Sequence, residues 1–190
     1  MQLARLVSPV TTLGPGKRVG VWVQGCSKKC KGCISIEMQK KDIFKDVPVN
    51  ILVELIKAEA KRNGCKGVTI SGGDPFEQAE ELSVLLEKLR THFDDILVYT
   101  GFTFEEINMS EVMKKCLENI DVLIDGKYIE EKNTSESLLR GSYNQKIIFL
   151  NKKVKQSYKV YMKSGRCIEA FVHENKVIIV GIQNRGVYDE

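Results

Sequence analysis

Residues 19–33, Val-Gly-Val-Trp-Val-Gln-Gly-Cys-Ser-Lys-Lys-Cys-Lys-Gly-Cys, decide how the rest of the chain is read. Val19 to Gln24 is a β-branched and aromatic run bounded by Gly20 and Gly25, the pattern of a buried strand. Three cysteines follow it directly. Cys26, Cys30 and Cys33 are spaced C-x3-C-x2-C on what must be a loop. Thiolates are soft ligands that suit zinc or an iron–sulfur cluster. Three of them on one loop can hold three corners of a single cubane. A structural zinc or an electron-transfer cluster wants a fourth ligand, and none lies nearby in sequence. Cys65, Cys116 and Cys167 are scattered and fit packing, since a free cysteine behaves as a small buried hydrophobe. A zinc loop and a chance cluster of cysteines remain open on spacing alone.

Outward from this stretch, strand and helix alternate. Asp46-Val47-Pro48 opens a helix with Ile51, Leu52, Leu55 and Ile56 as its apolar face and Gly64 as its C-cap. A strand is predicted over 67–71, ending in Gly72-Gly73-Asp74-Pro75, and then a helix carrying Phe76, Ala79, Leu82, Leu85, Leu86 and Leu89. Further strands are predicted over 96–100, 121–125 and 146–150, with a helix over 104–116. Such alternation predicts an α/β fold with a parallel sheet, whose ligand site lies at the carboxyl ends of the strands. Cys26, Gly72, Thr100 and Asp125 all fall there. After residue 152 the pattern changes. Residues 157–162, 166–173 and 176–182 read as three short antiparallel strands, with turns at Ser164-Gly165 and Glu174-Asn175. The expected organisation is a core over 1–151 and a β appendage over 152–190.

Composition excludes several classes. The 190 residues carry 43% hydrophobic and 28% charged side chains, as a globular protein does. No apolar run approaches the roughly 18 residues of a membrane span. The N-terminus lacks the apolar core of a signal peptide, so a cytoplasmic location is expected. Clustered rather than evenly spaced cysteines argue against a secreted disulfide framework. Residues 1–151 hold 21 basic and 21 acidic side chains, and residues 152–190 hold 8 and 4, so the net charge of +4 sits entirely in the tail. That excess suits an acidic partner and is too small to indicate nucleic-acid binding. His92 and His173 have no partner at metal spacing. Lys28, Lys29 and Lys31 beside the cysteines read as solvated charges or as a docking site for an acidic electron donor such as a flavodoxin.

The cysteine spacing together with Gly72-Gly73-Asp74 resembles the radical S-adenosylmethionine (SAM) superfamily. A narrower resemblance is to the anaerobic ribonucleoside-triphosphate reductase activating proteins. It is carried by Leu13-Gly-Pro-Gly16, Gln24-Gly-Cys26, Gly32-Cys33, Ser71-Gly-Gly-Asp-Pro75 and Tyr99-Thr-Gly-Phe102. Two further motifs support it, Asp121-Val-Leu-Ile-Asp-Gly-Lys-Tyr128 and Leu139-Arg-Gly-Ser-Tyr-Asn-Gln145. The matches run in order from about residue 9 to 150, and the tail departs from the pattern.

The resemblance implies an open, partial βα barrel and a [4Fe–4S] cluster on Cys26, Cys30 and Cys33. It implies that SAM chelates the remaining iron and is cleaved by one electron to methionine and a 5′-deoxyadenosyl radical. That radical would take hydrogen from a glycine of a partner glycyl radical enzyme. It places Gly32 and Ile34 near adenine and Gly72, Gly73 and Asp74 at the methionine part. Thr100, Asp125, Lys127, Ser142 and Asn144 fall at the ribose or carboxylate. A related enzyme modifying a small molecule, nucleoside or peptide, and a non-enzymatic metal-binding module, are the alternatives.

Overall fold

Nearly continuous apolar runs on the central strands build a sheet buried on both faces, each covered by its own elements. The computed structural model describes residues 1–134, 138–173 and 176–184. Its main sheet has six strands in sequential order: β1 (Leu3–Val10), β2 (Arg18–Val23), β3 (Gly67–Gly72), β4 (Asp95–Tyr99), β5 (Val122–Asp125) and β6 (Lys146–Phe149). The strands β2 to β5 run parallel, and the two outer strands are antiparallel to their neighbours. The parallel centre matches the alternation in the sequence. The edges do not follow it. Among the described residues no α-helix separates β5 from β6, and β6 returns antiparallel. Strand β1 is a half-buried edge with Pro9 near its end, a position where a missing N–H is tolerated.

One face carries Val19, Val21 and Val23 of β2, Val68 and Ile70 of β3, Ile96 and Val98 of β4, and Leu123 of β5. Helices α1 (Val49–Asn63), α2 (Ala79–Arg90) and α4 (Glu111–Cys116) cover it. Gly64 ends α1 in the left-handed conformation, as expected. The buried stripe of α1 is Leu52, Val53 and Ile56, whereas Ile51 and Leu55 are exposed, so its apolar face is turned from the predicted one. The predicted helix over 104–116 is two helices, α3 (Phe104–Asn108) and α4. Ser110 adopts an extended conformation between them, and its hydroxyl caps the amide of Met113.

The opposite face carries Trp22, Leu97, Val122 and Ile124, and the C-terminal tail lies across it. Residues 157–162, predicted as a strand, belong instead to helix α5 (Lys155–Tyr161) and the turn after it. Helical spacing puts Val154, Tyr158, Tyr161 and Met162 against the sheet, a periodicity hidden by the alternation of Tyr158, Val160 and Met162. The predicted antiparallel hairpin is present as β7 (Ile168–His173) and β8 (Lys176–Gly181); its turn at 174–175 lies outside the described residues. Phe171, Ile178 and Val180 pack over Trp22, Val7 and Val10.

Polar contacts fix the tail as well. The Glu169 carboxylate accepts from the amides and hydroxyls of Thr11 and Thr12. Arg18 is fully buried at the start of β2, where its guanidinium donates to Asp95 at 2.6 Å and to Thr69 at 2.6 Å. The Tyr158 hydroxyl donates to the same Asp95 carboxylate at 2.9 Å. Among the described residues no helix is long and apolar enough to cross a membrane.

Candidate iron–sulfur site

Because β2 to β5 are parallel, their carboxyl ends share one edge, and a chain of hydrogen bonds stitches those ends together. The Gly73 amide donates to Val23 O at 2.8 Å, and the Asp74 amide donates to Gly25 O at 2.8 Å. Gly72 takes φ +115°, and a Cβ on Gly73 would stand 2.2 Å from Gly25 O. Only glycine permits this approach of backbone to backbone. The two glycines therefore seat the root of the cysteine loop against the end of β3. Further along the edge, the Thr100 amide donates to Ile124 O at 2.9 Å, and the Gly126 amide donates to Phe102 O at 2.9 Å.

Asp74 is the hub of this edge. It is 1% exposed, and its carboxylate accepts from Thr100 Oγ1 at 2.8 Å, Gly101 N at 2.8 Å and Phe76 N at 3.1 Å. Burial raises its pKa to about 6, against the opposing pull of those donors. Asp125 is used in the same way: its two oxygens accept from the amides of Phe104 and Lys146. The carboxylates of Asp74 and Asp125 are thus engaged by the protein, and no described ion pair joins Asp125 to Lys127.

Cys26, Cys30 and Cys33 are half-buried on the loop after β2. Burial pushes the Cys26 thiol up, and Asp74, Cys30 and Cys33 add to that through their charge. Burial also raises Cys30, whereas the Tyr128 amide and the Lys127 ammonium pull it down. Among the described residues no three such side chains are gathered about one point as a single metal ion would need, whereas a cubane takes each thiolate on a different iron.

The donor set fits an iron–sulfur cluster with one iron left open. Cys116 is buried against α2 with its thiol on the Ala79 carbonyl and raised to about 12; Cys65 lies in the helix-side core; Cys167 stands at the foot of the tail hairpin. None of these thiols belongs to the loop.

The remaining predicted residues divide. Ser142 is fully buried, and its hydroxyl accepts from Ile129 N at 3.1 Å. Asn144 donates to the Lys127 carbonyl at 2.8 Å, and its buried Oδ1 has no hydrogen-bond partner. Asn144 and Ser142 thus hold the backbone at Lys127 and Ile129. Gly32 takes φ +67° against the Glu130 carboxylate. Ile34 is 59% exposed.

The loop is also held by contacts that the sequence did not show. The Ser27 amide and hydroxyl both donate to Glu77 Oε1. Lys28 lies over the Phe102 ring, 3.3 Å from its centroid. Lys31 pairs with Glu130 at 3.3 Å and Glu131 at 3.7 Å. Buried Gln24 donates to the carbonyls of Glu37 and Lys40. These partners are distant in sequence, so spacing carried no signal of them.

Residues 12–148 match the family model described as "4Fe-4S single cluster domain". The chain is 37% identical over 139 residues to the anaerobic ribonucleoside-triphosphate reductase-activating protein of Enterobacteria phage T4, covering 70% of this chain and 85% of that one. This chain belongs to the anaerobic ribonucleoside-triphosphate reductase-activating protein family. Its Vibrio cholerae relative is 34% identical, over 70% of this chain and 88% of the other. Among solved structures, QueE from Escherichia coli is similar at 22% identity, over 53% of this chain and 52% of that one, with a TM-score of 0.39. As a member of the activating-protein family the chain has a single [4Fe–4S] cluster as its resident group, and residues 149–190 lie beyond the matched family model.

Proposed function

We propose that this chain cleaves SAM reductively and uses the product to take a hydrogen atom from a glycine Cα of an anaerobic ribonucleotide reductase. The observation that carries the reading is a three-thiol loop, without a fourth thiol, seated on the Gly-Gly end of a parallel strand. When bound, a cluster on Cys26, Cys30 and Cys33 supplies one electron to the SAM sulfonium, giving methionine and a 5′-deoxyadenosyl radical.

The chain's own residues bind and orient SAM. The backbone of Gly72, Gly73 and Asp74 meets the amino and carboxylate groups of its methionine part. Asp74 does this through the second lone pair of its carbonyl, since its amide is on Gly25 O and its carboxylate already holds Thr100 and Gly101. The unpartnered Oδ1 of Asn144 suits a ribose hydroxyl, which is a donor. Lys127, exposed beside Cys30, suits the SAM carboxylate. Thr100, Asp125 and Ser142 set the positions of these groups, and Gly32 and Ile34 flank the adenine.

In this reading residues 1–151 are an open, partial βα barrel, and 152–190 form a tail laid on its sheet. The protein works in the cytoplasm, and an acidic one-electron donor such as a flavodoxin reduces it. Lys31 is already paired with Glu130 and Glu131, so Lys29, exposed, is the loop lysine left to meet that donor.

The test is to incubate reduced protein and SAM with the anaerobic reductase of the same genome and record the EPR spectrum. The reading expects a SAM-dependent glycyl radical on the reductase. SAM cleavage that leaves the reductase silent, with turnover of a small molecule instead, would overturn the choice of substrate.

A further inference from the structure

Ser27 directly follows the first cysteine of the loop. Its amide donates to Glu77 Oε1 at 3.1 Å, and its hydroxyl donates to the same oxygen. Glu77 lies in the turn after β3, half-buried, and no described ion pair neutralises it. A carboxylate is therefore fixed beside the backbone of Cys26, and it occupies two donors that would otherwise be free.

The potential of an iron–sulfur cluster depends on nearby charge, on hydrogen bonds to its sulfurs and on exposure. Donors aimed at the sulfurs favour the reduced cluster, which carries one more negative charge. Donors drawn off by a carboxylate do not, and the carboxylate's own charge opposes added negative charge. Both effects act in the same direction. Cleaving a sulfonium by one electron needs a cluster at the low end of the accessible range.

We propose that Glu77 is a positioning residue that holds the Ser27 amide and hydroxyl away from the cluster sulfurs and keeps the cluster's reduction potential low. The inference rests on Cys26, Cys30 and Cys33 as cluster ligands and does not depend on the hydrogen donor.

The experiment is an EPR-monitored redox titration of the full chain, reconstituted anaerobically and without SAM. Wild type, Glu77→Ala, Glu77→Gln and Ser27→Ala are compared, with iron content measured for each. Glu77→Ala should raise the reduced-to-oxidised ratio at a fixed potential about tenfold, about 59 mV for a one-electron couple. Glu77→Gln keeps an acceptor oxygen and loses the charge, so its shift should be smaller and in the same direction. Ser27→Ala removes only the hydroxyl donor and should leave the potential close to that of wild type. A fully loaded Glu77→Ala with the wild-type midpoint would overturn the proposal. Should that variant fail to load, the Gln variant decides, and an unchanged midpoint overturns it equally. Zinc without iron in the wild type would instead refute the ligand assignment.

Discussion

A Cβ on Gly73 would stand 2.2 Å from the carbonyl oxygen of Gly25, so the end of β3 and the root of the cysteine loop are in backbone contact. Two hydrogen bonds of 2.8 Å bracket this contact, Gly73 N to Val23 O and Asp74 N to Gly25 O. Whatever the loop binds is thereby registered on the edge of the sheet.

Gly73→Ala should displace the loop while sparing the helix-covered core, which it does not touch. Overpacking of this kind costs about 1–3 kcal/mol. The expected result is a lower melting temperature, an unchanged helical circular dichroism signal and iron content well below that of wild type. Full iron loading would show that the loop tolerates the shift.

Asp74 makes a pH-dependent contribution whose sign follows from its burial. Its carboxyl is raised from the ordinary range near about 4 to about 6, so the folded chain binds this proton more tightly than the unfolded chain. The favourable contribution is present below about pH 4 and disappears as pH rises to about 6. From about pH 3 to about pH 7 wild type should lose about 3 kcal/mol relative to Asp74→Asn, by the two-unit shift. Urea denaturation of both proteins at several pH values measures this; parallel curves would mean an unshifted carboxyl.

The tail and the sheet share a buried network in which Asp95 accepts from both Arg18 and Tyr158. Tyr158→Phe removes one donor to a charged acceptor and should lower stability by about 1.5–3 kcal/mol. Tyr158→Ala also empties a fully buried site and should cost about 3–5 kcal/mol. Removal of residues 152–190 would bare Trp22, Leu97, Val122 and Ile124, and the shortened chain should aggregate. A soluble, cooperatively melting truncation would show that the sheet face needs no cover.

The centre of the fold was legible because parallel strands covered by helices must be continuous apolar runs, as Val19–Val23 and Ile96–Val98 are. The edges were not. Leu3–Val10 mixes Arg5 and Ser8 with apolar residues because only part of an edge strand is buried. Tyr158, Val160 and Met162 alternate as a strand would, and tertiary packing of Tyr158 under the sheet selects the helix instead. Ser110 divides residues 104–116 because its hydroxyl offers a cap that competes with helix continuation. In the site, the cysteines were plain from spacing. The use of the Asp74 carboxylate on Thr100 and Gly101, and of Glu77 on Ser27, was not, since these contacts join residues 26, 27 and 50 positions apart.

The central claim is that three thiolates and the Gly-Gly edge support reductive cleavage of SAM. The measurement is 5′-deoxyadenosine formation by anaerobically reconstituted, reduced protein supplied with SAM, beside Cys30→Ala. The account predicts 5′-deoxyadenosine and methionine from wild type and none from the variant, which should retain its fold and lose its cluster. A wild type carrying a full cluster that leaves SAM intact, or a Cys30→Ala variant with undiminished iron and product, would contradict it.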